Sequence, residues 1–292
     1  MGLYQKIRGQ FLSIALIAHA TTANADALAQ LTDKIARTEA DIGGRVGVAI
    51  KDSGTNWTWG YRADERFPMN STFKSLLCGS VLYQVDKGTM SLDDTIPITT
   101  SDIESFAPAT KDRVGEDMRI DELCYGTLDK SDNTAANLLI TRLGGPEAVT
   151  QSWRSIGDPV SRLDRMEPDM NFFAPGDPRD TTTPAAMIAT WETLLMGDAL
   201  RPASQEQLAD WMRDGWATGA MIRPHLPPDW SISDKSGGGR TGSRGIVAMI
   251  TPPAEAPTFV AIYIAESNAD WDARNAAIAD LGAAVVDVLT AR

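Results

Sequence analysis

The sequence predicts an α+β fold of the α/β sandwich type: a five-stranded antiparallel sheet flanked by helices, with an all-helical domain inserted between the strands. Three observations lead there. Alternating apolar stretches lie near both ends of the chain, the long middle reads as helix, and neither terminal set of strands can bury a face alone, so the two sets must join in one sheet. The 292 residues are 43% hydrophobic and 23% charged, which suits a chain with a sizeable core and excludes disordered or fibrous classes.

In chain order, Lys6 and Arg8 precede the apolar run Phe11 to Ala18, and Ala23-Asn24-Ala25 follows with the small-x-small pattern of a cleavage site. Residues 1–25 therefore read as a signal peptide of an exported, periplasmic or secreted protein. The run is far shorter than the roughly 20 residues of a membrane span, so no membrane insertion is expected after cleavage. Leu28, Leu31 and Ile35 then recur at helical spacing. Val46, Val48 and Ile50 alternate, as do Trp57, Trp59 and Tyr61, giving a hairpin with Asp52-Ser53-Gly54 in its turn.

The middle carries amphipathic spacing with plausible caps over Ser71–Asp86, Asp132–Leu143, Glu147–Ile156, Pro184–Leu195 and Ser204–Arg213. Gly144-Gly145-Pro146 ends one helix and starts the next. Three further strands are expected over Ser231–Ser236, Ile246–Ile250 and Phe259–Ala265, and Ile278, Leu281, Val285 and Val288 mark one face of a closing helix. The predicted domains are a discontinuous α/β unit of residues 26–62 and 215–292 and a helical unit of residues 63–214. An irregular loop, 162–180, contains Pro168, Pro175, Gly176 and Pro178, and loops of that length in compact domains are usually functional.

Composition removes several functions. The formal charge is −12; cleavage of 25 residues would leave 267 and, with Lys6 and Arg8 gone, a charge of −14. That disfavours nucleic acid or an anionic membrane as the partner, while leaving room for a small anion where cations converge. Of two histidines only His225 survives cleavage, among Pro224, Pro227 and Pro228. One histidine cannot build a multi-histidine zinc site, and no G-x-S-x-G elbow presents a serine to it. Cys78 and Cys124 are the only cysteines; an even count in an exported chain points to a structural disulfide, with two buried free thiols as the alternative. Such a bridge would stabilise the fold by about 4 kcal/mol through loop entropy.

The candidate chemistry lies in four short segments. Ser71-Thr72-Phe73-Lys74 opens a predicted helix and sets an amine on the same face as a hydroxyl, where it can take the proton; the helix N-terminus favours an oxyanion. An S-x-x-K alone occurs by chance about once in a chain this size. Ser131-Asp132-Asn133 opens another helix and by itself reads as an N-cap. Lys235-Ser236-Gly237 lies late in a strand, followed by Gly238 and Gly239, which let a ligand or another backbone approach closely. Glu167-Pro168-Asp169-Met170-Asn171 lies inside the irregular loop.

In this order and at these separations the segments resemble the active-site set of the penicillin-recognising serine enzymes, and the Glu167-to-Asn171 segment resembles the omega loop of the class A β-lactamases. The resemblance extends over essentially the whole mature chain. It implies hydrolysis of the β-lactam amide of penicillins and cephalosporins through a serine acyl-enzyme, conferring antibiotic resistance, with no cofactor and with a monomer expected. It also implies roles. Ser71 would be the nucleophile, Lys74 and Glu167 would share the acylation base, and Ser131 would pass a proton to the departing nitrogen. Glu167 with Asn171 would activate the hydrolytic water. Lys235, Ser236 and Arg244 would hold the substrate carboxylate, Asn133 its amide side chain, and Gly237 and Gly238 the strand beside it, with the N–H groups of Ser71 and Gly238 as oxyanion hole. Phe106 would wall the entrance. Arg165 and Asp180 match the ion pair that pins the omega loop, Asp234, Arg223 and Asn275 match supporting residues, and Cys78 with Cys124 match the disulfide that many members carry.

Some positions depart from the family. Asn70 stands where class A carbapenemases carry a cysteine, and Gly239 cannot supply that cysteine's partner. Lys235 occupies a position where carbenicillin-specialised members often have arginine, and Arg240 adds a cation at the mouth of the site. A D-alanyl-D-alanine peptidase would share the first three segments without Glu167, and a β-lactam sensor would stop at the acyl-enzyme.

Overall fold

The computed structural model describes the backbone from residue 3 and the side chains from residue 23, so the expected signal peptide falls almost wholly outside the residues whose side chains are described. The elements are α1 (Leu3–Ile42), β1 (Arg45–Asp52), β2 (Thr58–Tyr61), β3 (Phe67–Pro68), α2 (Phe73–Asp86), β4 (Thr95–Pro97), β5 (Asp117–Arg119) and α3 (Ile120–Leu128). There follow α4 (Asn133–Arg142), α5 (Pro146–Ser155), β6 (Thr181–Thr182), α6 (Pro184–Leu195), α7 (Pro202–Trp211), β7 (Ser231–Gly239), β8 (Ser243–Thr251), β9 (Thr258–Ala265) and α8 (Trp271–Thr290). Among the described residues no helix is long and apolar enough to cross a membrane.

The main sheet has five antiparallel strands in the order β2-β1-β9-β8-β7, joining the two ends of the chain as the hydropathy pattern predicts. Register makes the alternation useful. Val48 lies opposite Ile262, which lies opposite Ile246, so one face carries a continuous apolar surface against Leu31 and Ile35 of α1 and Ile278, Leu281 and Val285 of α8. The intervening residues Ala49, Val247, Phe259, Ala261 and Tyr263 face the other way, into a second core with α2 and α6. Every residue of β9 is buried because it is central and covered on both faces, which is why its sequence reads as an unbroken apolar run.

Helix α2 departs from the amphipathic expectation. Ten consecutive residues, Phe73 to Leu82, are buried, because α3, α4, α5, α6 and α7 surround it. It also starts later than predicted: Asn70–Thr72 form a 3-10 turn, with Asn70 itself at φ 43°. The expected disulfide is absent. Cys78 and Cys124 are free, buried thiols, with Cys78 Sγ directed at the Cys124 carbonyl oxygen at 3.8 Å. Burial, reinforced by Cys78, pushes the Cys124 thiol well above its ordinary value, so the thiolate that would begin disulfide formation is disfavoured.

Candidate active site

The loop from Arg162 to Asp180 is held at both ends. Arg165 Nε donates to Asp180 Oδ2 at 2.6 Å, and the backbone N–H groups of Asp164 and Arg165 converge on Asp180 Oδ1 at 2.7 and 3.0 Å. Its centre is clamped by Asn137 on α4, which accepts from Glu167 N at 2.9 Å and donates to Glu167 O at 2.9 Å. Two opposed bonds to one residue fix the backbone of Glu167 and so aim its side chain. Asn137 escaped the sequence reading, although its spacing of four from Asn133 puts both on one face of α4, a usable signal.

That side chain is buried, with 2% of the residue exposed. Its Oε2 accepts from Asn171 Nδ2, and its Oε1 lies 3.1 Å from Lys74 Nζ without being aligned for a hydrogen bond, so Oε1 retains its acceptor capacity. Lys74 is fully buried and spends its donors on Ser131 O at 2.8 Å and Asn133 Oδ1 at 2.6 Å. The expected link from Lys74 to Ser71 is not among its bonds; two close oxygens and a carboxylate hold the ammonium instead. Ser71 lies three residues before Lys74, on the 3-10 turn that precedes α2.

Ser131 has φ 58° and precedes α4 without capping it; the cap is Asp132, whose carboxylate accepts from Ala135 N at 2.8 Å. The same carboxylate accepts from Ala109 N at 2.8 Å and Thr110 N at 3.0 Å, tying the Phe106 segment to Ser131 and Asn133. Asn133 N donates to Phe106 O at 2.9 Å, and Phe106 stands 47% exposed at the rim.

From the opposite side β7 brings Lys235, whose Nζ donates to Ser131 Oγ at 3.1 Å and to Ser236 O at 3.0 Å. The strand is fastened just before it: Arg223 Nη2 and Thr218 Oγ1 donate to Asp234 Oδ1 at 2.7 and 2.6 Å. Burial pushes the Lys235 ammonium well below the ordinary lysine value of 10.5, and Lys74 and Arg244 push the same way against Asp234 and Glu167. An anion bound by Lys235 should therefore be released as pH rises through that lowered value. We expect the alkaline limb of kcat/KM to lie below 10.5 and to move upward in Lys235→Arg; a limb unmoved by that change would contradict the assignment. Over the same window the unfolded chain holds a proton that the folded chain does not, so this group makes unfolding harder as pH rises.

Gly237 shows why the strand needs glycine. A Cβ there would stand 2.7 Å from Met69 O and Ser71 N and 2.8 Å from Thr72 N, all backbone atoms. Gly237→Ala is expected to force β7 away from Ser71 and lower kcat/KM by more than about tenfold. Steady-state kinetics alongside a melting curve would check this, and unchanged kinetics would show that the strand and the turn are not tightly apposed.

Arg244 donates Nη1 to Gly237 O at 2.6 Å and Nε to Asn275 Oδ1 at 2.7 Å, and its guanidinium lies 4.8 Å from the centroid of Trp271. Arg274 holds the other arm of the turn through Gly239 O and Ser243 O, both at 2.9 Å. Burial, with Arg274 nearby, pushes Arg244 down to about 10. Trp271 and Trp216, 46% and 57% exposed, are site residues that motif reading missed; nothing in their local sequence distinguishes them from surface aromatics.

Two adjoining cavities of about 380 and 410 Å³ share Phe106, Asn133, Asn171, Gly238 and Trp271, so they form one cleft. Ser71, Ser131, Ser236 and Arg244 line the inner part and Phe172 and Arg240 the outer part. A hydroxyl, two buried lysines, a buried carboxylate and a guanidinium around such a cleft are the groups that acyl transfer through a serine requires, the class of a serine hydrolase.

Comparison with known proteins agrees. The family model described as the beta-lactamase enzyme family matches residues 30–289. A beta-lactamase of Rhodobacter capsulatus is 49% identical over 259 residues, covering 89% of this chain and 88% of that protein. Beta-lactamase PSE-4 of Pseudomonas aeruginosa is 37% identical over 277 residues, covering 95% and 96%. Among solved structures, a class A beta-lactamase described as the last common ancestor of Gram-negative bacteria superposes with a TM-score of 0.86 at 50% identity, over 89% of this chain and 99% of that one. A beta lactamase from Xanthomonas campestris gives 0.86 at 46% identity, over 89% and 97%. The chain belongs to the beta-lactamase enzyme family, and within it to the class A serine enzymes.

Proposed function

We propose that the enzyme hydrolyses the β-lactam amide of penicillins and cephalosporins by a two-step serine mechanism. The observation that carries the reading is the buried contact of Glu167 with both Asn171 and Lys74, the latter three residues after Ser71. In the first step Ser71 Oγ attacks the lactam carbonyl and loses its proton to Lys74 or Glu167, which share the base role. The N–H groups of Ser71 and Gly238 receive the oxyanion, an interaction whose loss typically costs a few kcal/mol. Ser131, polarised by Lys235, passes a proton to the departing ring nitrogen. Lys235, Ser236 and Arg244 hold the substrate carboxylate, which reconciles an acidic protein with an anionic substrate, and Asn133 holds the amide side chain.

In the second step Glu167 removes a proton from water as its oxygen attacks the ester carbonyl; the carbonyl–Oγ bond breaks, the proton passes to Ser71 Oγ, and the ring-opened acid leaves. The free acceptor capacity of Oε1 and the donor from Asn171 on Oε2 support this role. The residues named lie between two proposed domains, 63–214 and the discontinuous 26–62 with 215–292. Export with removal of residues 1–25 and action as a monomer complete the proposal, the former supported by Lys6, Arg8 and the Phe11–Ala18 run. Hydrolysis assays with both substrate classes test it: turnover of neither would remove the reading.

A further inference from the structure

We propose that Asn70 is a positioning residue for the hydrolytic step, acting through Asn171 on Glu167; this rests on the proposed role of Glu167 as hydrolytic base. Asn70 is 1% exposed and lies between the omega loop and the β7–β8 turn. Ser243 Oγ donates to Asn70 Oδ1 at 2.8 Å, Asn70 Nδ2 donates to Asn171 Oδ1 at 3.1 Å, and Asn171 Nδ2 donates to Glu167 Oε2. Room for this row exists because residue 239 is glycine: a Cβ there would stand 2.8 Å from Asn70 Nδ2 and Ser243 Oγ and 2.7 Å from Asn171 O.

The direction of the row is its point. A carboxylate only accepts, so Glu167 requires the NH2 end of Asn171, and the oxygen end of Asn171 then needs a donor. Asn70 supplies it. Were the Asn171 amide reversed, its oxygen would face the Glu167 carboxylate, a repulsive contact, and its NH2 would face the NH2 of Asn70, which would have to turn over as well and exchange the Ser243 donor for an acceptor. In the productive orientation Asn171 is satisfied at both ends, by Glu167 and by Asn70. Without Asn70, Asn171 loses its second partner, and Glu167 loses a fixed donor when it must take a proton from water.

The backbone at Asn70, at φ 43°, allows two informative variants, since glycine, asparagine and aspartate tolerate this region. Asn70→Gly removes the side chain and keeps the backbone. Asn70→Asp keeps the shape but can only accept, so it competes with Glu167 for the NH2 of Asn171. Acylation by a penicillin would be timed by rapid quench and deacylation by the decay of the acyl-enzyme mass, with Glu167→Ala alongside. Deacylation is expected to fall about tenfold in Asn70→Gly and further in Asn70→Asp, while acylation changes less than about threefold. Equal losses in both steps, or deacylation unchanged in either folded variant, would overturn the proposal. If Glu167→Ala itself turns over freely, the assignment of Glu167 fails; if it traps the acyl-enzyme while both Asn70 variants deacylate normally, only the role of Asn70 fails.

Discussion

Glu167→Ala is expected to stop the reaction half way, leaving a penicillin covalently attached to Ser71. The substitution removes a carboxylate with 2% of its residue exposed, whose Oε2 takes the Asn171 donor and whose Oε1 is open to a further donor. Acylation retains Lys74, the other proposed base; deacylation loses the carboxylate proposed to activate water, so hydrolysis should slow by about 10³-fold. The fold should survive. Asn137 holds residue 167 through its backbone, and Lys74 keeps its bonds to Ser131 O and Asn133 Oδ1. Because the leaving nitrogen stays within the opened ring, the adduct should equal the mass of the intact penicillin. Intact mass followed by peptide mapping checks this, and unmodified protein or an adduct on another residue would contradict the mechanism.

Asp132→Ala is expected to cause the largest loss of stability from one side chain in the site. Its carboxylate is fully buried and accepts from Ala109 N, Thr110 N, Thr110 Oγ1 and Ala135 N, at 2.8 to 3.0 Å. Alanine would strand four buried donors and remove the cap of α4, at a cost of about 4 kcal/mol. For a domain this size that lowers Tm by roughly 10 °C. Asp132→Asn, which keeps one acceptor oxygen, should lose clearly less. Thermal unfolding of both variants is the measurement, and an alanine variant melting within about 2 °C of the parent would show that water satisfies these donors.

Much of this architecture was legible beforehand because it rests on short-range patterns. Alternation in Val46, Val48 and Ile50 and the apolar run Phe259–Ala265 report burial on one face and on two, and the strands pair accordingly. The motif segments are short and local: Ser71 and Ser131 lie just before α2 and α4, and Lys235 lies midway along β7. What was not legible depends on side-chain direction in three dimensions. Counting cysteines does not reveal that Cys78 and Cys124 stay free, buried thiols, with Cys78 Sγ 3.8 Å from the Cys124 carbonyl oxygen. The i, i+3 spacing of Ser71 and Lys74 permits a hydroxyl contact, but Ser131 O and Asn133 Oδ1 from a distant segment take the ammonium. Asn70 and Gly239 read only as departures from a relative's cysteine pair; their complementarity appears once the omega loop is laid against β7.

The most direct test of serine-based β-lactam hydrolysis is turnover of a penicillin and a cephalosporin by the purified protein, with and without EDTA, while intact mass is recorded. Fast turnover unaffected by EDTA, with a transient adduct on Ser71, is the predicted result. A stable adduct without turnover would mean that Glu167 does not activate water and that the chain is a peptidase or a sensor; turnover abolished by EDTA would contradict the serine mechanism itself.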